Sequence, residues 1–314
     1  MTRDLIIGID IGGTKTHIRC ENLDGRVIRD DVFATRDWRG ASDRSKAALV
    51  AAWLGGTAPM DRIGAVALGA HGCDTDEDAR TLRVEVEGLT GLPTAVVNDA
   101  QLLGAAAGLS GSIELIAGTG SIAVGRTDTG STVFAGGWGW LLGDDGGGAG
   151  LVREGVRMLT VERDKGAPVD LLEGHLLDIS GATSLRGLAA LMMAGADFAS
   201  WAPALFAADG QSSPAASLAI ESGARSLASL AHALLGRGVS ATTVVAAGGV
   251  IVNQRRMSDA LHTELKRQHN LDLHILRDPP VRGALVLARD LHHSTDYSVN
   301  ANPRLGARVA PRKE

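Results

Sequence analysis

One pattern occurs twice in this chain: strand, glycine-and-hydroxyl turn, return strand, tight turn, third strand. The first copy is LIIGIDIGGTKTHIR over residues 5–19, a turn at Asp24-Gly25, and a strand over Val27–Phe33. The second runs from Ile113 to Ala117, turns through Gly118-Thr119-Gly120-Ser121, returns as Ile122–Val124, turns at Thr129-Gly130 and ends over Thr132–Phe134. A chain that builds the same hairpin unit twice is expected to be α/β, with two like domains whose hairpins face each other. The boundary falls near Ser110: residues 1–109 form the first domain, 110–292 the second, and 293–314 a polar, Pro-containing, loosely held tail.

Each turn has the chemistry of an anion site. Asp10 stands near the tip of a buried strand, followed by Gly12, Gly13, Thr14 and Thr16. Glycines let backbone N–H groups approach a phosphate closely, and Asp10 can hold Mg²⁺ directly or through water. Lys15 is a further phosphate candidate, although a lysine at that strand position can point outward. An ordinary Gly-Gly hairpin with a solvated Asp is the plain alternative. A Walker loop is excluded, because Thr14 stands where its lysine belongs and a strand follows instead of a helix. Gly118-x-Gly120-x-x-Ala123 matches a dinucleotide fingerprint, but that also requires a helix next.

Composition narrows the partners. Glycine is 41 of 314 residues, against an average of about 7%, so many turns need backbone freedom or close ligand approach. Aromatics are 3% and the net charge is −5, which argues against a nucleic-acid partner. Cys20 and Cys73 are too far apart for a disulfide framework or zinc spacing. The apolar N-terminal run ends at Asp10, so no signal peptide is expected, and no stretch has the length of a membrane span. A reducing cytoplasm is the expected compartment.

Between the hairpins, a helix capped by Ser42 or Asp43 runs to Leu54 and ends at Gly55-Gly56. Ile63–Leu68 is a buried strand, Thr81–Leu89 is helical or mixed, Thr94–Val97 is a strand, and Ala100–Leu109 is a helix. Residues 136–150 hold eight glycines and lead into a helix over Leu151–Glu162. Residues 170–237 are mostly helical, with breaks near Gly181 and Gly210. A strand over Val244–Ala247 enters Gly248-Gly249, a helix covers Asn253–Lys266, a strand Leu271–Leu276, and Pro279-Pro280 starts a final helix.

Five stretches in order, IGIDIGGTKT, VVNDA, IAGTGSIAVG, GGWGWLLGDDG and VVAAGGVIVN, resemble the N-acetylglucosamine kinase family. That family lies within the BadF/BadG/BcrA/BcrD group of the sugar kinase–heat-shock ATPase–actin superfamily. The resemblance covers about residues 4 to 290. It implies two ribonuclease-H-like, actin-like ATPase domains around a central cleft, ATP bound mainly by the second and sugar held between them. Asp99 of VVNDA would be the catalytic base; from the residues alone, a helix cap at Asn98 or Asp99 is the preferred reading, and the two roles can coexist. Gly118, Thr119, Gly120 and Ser121 would cradle phosphates, and Gly248, Gly249 and Asn253 would meet the adenosine. Sugar contacts would come from Asp37, Trp38, His71, Gly72, Asn98, Gly137, Trp138 and Asp144.

The chain departs from the family at two places. The family usually has Gly-Asp-Glu-Gly-Ser where Gly143-Asp144-Asp145-Gly146-Gly147 stands, and often an Asn before the tryptophan where Arg36 and Asp37 stand. An Asp near the sugar's 2-position could favour the free amine of glucosamine over an acetamide. The expected protein is therefore an ATP- and Mg²⁺-dependent amino-sugar kinase, acting on the 6-hydroxyl of N-acetylglucosamine or glucosamine, and a homodimer. Domain closure would exclude water from the transfer. Two rivals are an ATPase activator of an acyl-CoA dehydratase, which needs paired cysteines for an iron–sulfur cluster, and a non-catalytic sugar- or ATP-binding module.

Overall fold

The computed structural model describes residues 3–294; most of the tail lies outside the described residues. The first sheet contains β1 (Leu5–Ile11), β2 (Lys15–Asn22), β3 (Val27–Ala34), β4 (Ile63–Ala70) and β5 (Thr94–Val97), in the order β3-β2-β1-β4-β5. β1 is antiparallel to β2 and parallel to β4, which is parallel to β5. Successive residues of β1 point to opposite faces. Ile7, Ile9 and Ile11 pack with Val50 and Leu54 of α1 (Asp43–Thr57) and Leu82 and Val86 of α2 (Asp76–Thr90). On the other face Ile6 packs with Leu102 of α3 (Leu102–Ala107) and with Ala284 and Leu285 of the last helix, Val281–His293. Covered on both faces, β4 is buried along its whole length.

The second sheet repeats the plan. β6 (Ile113–Ala117), β7 (Ser121–Arg126), β8 (Thr132–Gly136), β9 (Thr243–Ala247) and β10 (Asp272–Ile275) run in the order β10-β9-β6-β7-β8. Numbered within each sheet, both orders are third, second, first, fourth, fifth. The duplication is the one the repeat implies, and the mixed five-stranded sheets are the two-domain, actin-like ATPase architecture that the family resemblance implies. Its helices are α4 (Gly148–Asp164), α5 (Leu171–Ser180), α6 (Leu185–Met193), α7 (Ala202–Gly210), α8 (Pro214–Gly236), α9 (Gly249–Asn253) and α10 (Arg255–His269). Among the described residues no single helix is long and apolar enough to cross a membrane; the apolar pair α5 and α6 is bent by 51°.

Several boundaries differ from the sequence expectations. The first compact unit comprises the chain to Ser112, Thr129–Thr132 and the chain from Asp278; the second is Ile113–Asp128 with Val133–Arg277. The last helix, α11, assigned by sequence to the second domain, packs on β1 and β4. Gly8 makes room for it: a Cβ there would lie 2.8 Å from the Leu285 nitrogen. α1 runs through Gly55-Gly56 to Thr57; two glycines in a last turn cost about 1 kcal/mol each without ending the helix. α2 starts earlier than expected, because Thr75 and Asp78 form a capping box. Residues 99–101 are a 3₁₀ turn before α3, and the helix expected over Asn253–Lys266 is broken into α9 and α10.

Candidate active site

In the first unit β5 ends at Val97 and the chain turns through Asn98-Asp99. Asn98 is buried and its polar atoms are engaged. Its N–H donates to Gln101 Oε1 (3.0 Å), its Nδ2 to the Cys73 carbonyl (3.2 Å) and Asp74 Oδ1 (3.0 Å), and its Oδ1 accepts from the Ala100 N–H (2.9 Å). Asn98 thus caps the turn. Asp99 is left with one oxygen on the Ala100 N–H (3.1 Å) and the other 3.8 Å from His71 Nδ1. Burial pushes Asp99 up to about 7; His71 and the Ala100 N–H oppose the rise, and the charges of Asp10 and Asp74 add to it.

Asp10 lies on β1 opposite His17 of β2 and Gly69 of β4. Burial also pushes Asp10 up to about 7, with exposed Lys15 pulling the other way. Its carboxylate has no hydrogen bond or ion pair among the described residues. The turn that follows is closed by Gly12 N–H donating to the Lys15 carbonyl (3.0 Å). Gly13 and Thr14 remain at its tip, Thr14 exposed. Thr16 is a correction: it is fully buried, and its hydroxyl donates to Thr35 Oγ1 (2.9 Å), which donates to the Gly12 carbonyl (3.0 Å). It shapes the turn instead of meeting a phosphate.

Trp38 is a second correction. It is 1% exposed and stacks on Trp53, with centroids 6.1 Å apart. Its indole N–H donates to the His71 carbonyl (3.0 Å). A ring sealed in the core offers no face to a sugar; Trp38 instead anchors the backbone of His71. Gly72, in the left-handed region at φ 80°, and Asp37, at φ 58°, are both exposed. Sequence reading passed over Arg39, whose Nη2 lies 2.7 Å from where a Gly13 Cβ would stand, with His71 Nε2 3.7 Å from the same point. Its position directly after Trp38 was the available signal.

In the second unit Gly118 N–H donates to the Gly120 carbonyl (3.0 Å), while the first amides of α4 close on the turn: Gly148 N–H to Gly118 O (2.7 Å) and Ala149 N–H to Thr119 O (3.0 Å). Asp144 sits at this turn, its Oδ1 accepting from the Ser121 N–H (3.0 Å). Its carboxylate thus lies against the Gly120-Ser121 turn. Ser121 is buried and its hydroxyl donates to the Asp145 carbonyl (2.9 Å), so it too is structural. Thr119, Gly249 and Asn253 are exposed. Gly248 has φ 103°, and a Cβ there would lie 2.5 Å from the Ala117 carbonyl; only glycine allows this approach. Gly137 has φ 76°, and Trp138 is 75% exposed.

The cysteines do not suit a cluster. Cys20 and Cys73 are buried, and burial pushes their thiols up to about 11 and about 12. Thiols so held are poor sources of the thiolate a metal needs.

The pattern of the BadF/BadG/BcrA/BcrD ATPase family matches residues 7–285. The chain is 31% identical over 186 residues to an N-acetylmuramic acid/N-acetylglucosamine kinase of Clostridium acetobutylicum, covering 55% of this chain and 59% of that one. It is 28% identical over 195 residues to an N-acetyl-D-glucosamine kinase of Dictyostelium discoideum, covering 57% and 61%. The matches thus span about three fifths of these curated relatives. A proposed N-acetylglucosamine kinase from Chromobacterium violaceum has the same fold, with a TM-score of 0.68 and 26% identity over 91% of this chain and 99% of that one.

Proposed function

The chain belongs to the BadF/BadG/BcrA/BcrD ATPase family, and from that premise we propose that it is an ATP-dependent amino-sugar kinase transferring the γ-phosphoryl group to the 6-hydroxyl of N-acetylglucosamine. The observation that carries this reading is Asp99. It is a buried carboxylate at a strand end, tuned to about 7, with one oxygen not held by its own cap. A general base works best with a pKa near the operating pH. Asp99 takes the proton of the sugar hydroxyl, the new O–P bond forms, and the P–O bond to ADP breaks.

The second unit's turn, Gly118–Gly120, offers phosphates a backbone cradle whose shape is fixed by α4 and Asp144. Gly248-Gly249 and Asn253 serve the nucleoside. Magnesium suits Asp10: the carboxylate is desolvated and unpartnered, so a cation would relieve its cost. Among the described residues no three acidic, histidine or cysteine side chains are gathered to hold a metal alone. Magnesium on a nucleotide needs only one or two carboxylates besides phosphates and water. When bound, it neutralises phosphate charge.

One assay tests the reading: ATP consumption coupled to ADP detection, over N-acetylglucosamine, glucosamine, N-acetylmuramic acid and glucose. Sugar-dependent turnover greatest with N-acetylglucosamine is expected. No sugar-dependent turnover would reject the kinase.

A further inference from the structure

We propose that Arg39 is a catalytic residue of this site, its guanidinium receiving the terminal phosphate of ATP over the Gly12-Gly13 turn. The inference rests on the phosphoryl-transfer reading above and adds a residue that neither the sequence motifs nor the relatives' names assign.

The loop that carries Arg39 is tied down on both sides. Before it, the Thr35 N–H donates to the Thr14 carbonyl (3.0 Å) and the Thr35 hydroxyl to the Gly12 carbonyl. Beside it, Trp38 is locked in the core and bonded to the His71 backbone. Asp37 at φ 58° and Gly40 at φ 73° bend the backbone around it. Arg39 itself is exposed, and its Nη2 lies 2.7 Å from where a Cβ on Gly13 would stand. Yet among the described residues Arg39 has no hydrogen bond and no ion pair. A positioned guanidinium without a protein anion, beside a glycine turn and an imidazole, is built for an anionic ligand. The base Asp99 lies on the far side of His71. Gly13, Arg39, His71 and Asp99 therefore run from phosphate acceptor to proton acceptor on one unit.

Charge spreads over the oxygens of a phosphoryl group in flight. An arginine aimed at them contributes most in the transition state, and such residues are worth about 10³–10⁵ in kcat where they have been removed. A carboxylate on an acidic sugar is the other anion Arg39 could meet. Its place over the turn, and not over Asp37, favours phosphate.

The test compares wild type with Arg39→Met, Arg39→Ala and Gly13→Ala, all checked by thermal unfolding. Calorimetry with MgATP and MgADP is the first readout and needs no sugar. Arg39→Met is expected to weaken ATP about tenfold and ADP less than twofold. In turnover, kcat falls by about 10²–10³ with the sugar KM nearly unchanged, and free guanidinium restores part of the activity of Arg39→Ala. Gly13→Ala, whose Cβ displaces the guanidinium, moves the ATP-to-ADP ratio the same way. Equal loss of ATP and ADP affinity, or kcat within threefold of wild type, overturns the proposal. So does a KM increase confined to N-acetylmuramic acid, which would assign Arg39 to the sugar. A wild type that prefers ATP to ADP but phosphorylates no sugar breaks the amino-sugar reading alone, and the affinity ratio still judges Arg39.

Discussion

At the first glycine turn the groups in reach are side chains that carry charge. Asp10 lies two residues before Gly12, Arg39 stands over Gly13, and His71 and Asp99 follow. At the second turn the corresponding strand position is Ile116, and the turn is enclosed by backbone. Two α4 amides close on it, Gly248 touches Ala117, and a Cβ on Gly147 would lie 2.5 Å from the Gly120 carbonyl carbon. The one carboxylate there, Asp144, is spent on the Ser121 N–H. On the proposed function, the two copies of the hairpin take different tasks. One copy keeps desolvated, unsatisfied charge, which chemistry needs and stability does not. The other is enclosed by α4 and Gly248 backbone, a shape that suits binding a polyphosphate.

The sharpest way to break this division is to remove the charge from the first turn's neighbourhood. Asp99→Asn keeps the shape and loses the base, and kcat is expected to fall by about 10²–10⁴, with nucleotide affinity unchanged. Steady-state kinetics and calorimetry check it. Near-full activity in Asp99→Asn would falsify the base assignment.

Next come the glycines themselves. Gly248→Ala adds a Cβ 2.5 Å from a backbone carbonyl at φ 103°, combining overpacking with backbone strain, about 3 kcal/mol of lost stability. Gly13→Ala meets the end of an arginine side chain, which can swing away, so stability stays within about 0.5 kcal/mol while turnover falls. Denaturant unfolding of both variants decides. Equal stability losses would mean that the two turns are built alike after all.

A smaller effect separates the tuned base from an inert buried acid. Asp99 works ionised, so kcat/KM rises with pH through about 7. The sign for stability is opposite. Between about pH 4 and 7 folded Asp10 and Asp99 hold protons that the unfolded chain has released, so stability falls as pH rises across that window. His71 is the neighbour that lowers the Asp99 pKa. His71→Gln should move the acid limb of the pH–rate profile to higher pH. An unmoved limb would detach His71 from the base.

Much of the scaffold could be read from residue order, because alternation in β1, glycine turns and a repeated strand plan are local signals. VVNDA and the two turns stand out in residue order for the same reason, and the roles given to them are those proposed above. What escaped was whatever depends on burial at a distance. Trp38 is expected on the sugar side from the family resemblance, yet Trp53 of α1 stacks on it and it is buried. Thr16 and Ser121 look like free hydroxyls until Thr35 and the Asp145 carbonyl are brought to them by the fold. Arg39 was hidden because an exposed loop arginine, as this one is, is ordinary, and nothing in the order of residues says that Thr35 and Trp38 pin its loop to the turn. α11 escaped because its partner strands lie more than two hundred residues away in sequence.

The subtlest prediction concerns substrate choice, and it also tests whether charge on the first unit extends to the sugar. Asp37 is exposed and in the left-handed region, where its carboxylate is free to meet a cationic 2-amino group. Such a contact is an exposed ion pair, worth about 0.2–1 kcal/mol. Asp37→Ala should therefore lower kcat/KM for glucosamine relative to N-acetylglucosamine by about two- to fivefold, and leave the ATP-to-ADP affinity ratio untouched. Added salt should lower the wild-type ratio of glucosamine to N-acetylglucosamine kcat/KM in the same direction, since screening weakens exposed pairs. An unchanged sugar ratio would remove Asp37 from recognition. It would also confine the functional charge of the first unit to phosphate and proton, with Arg39 and Asp99 as its two poles.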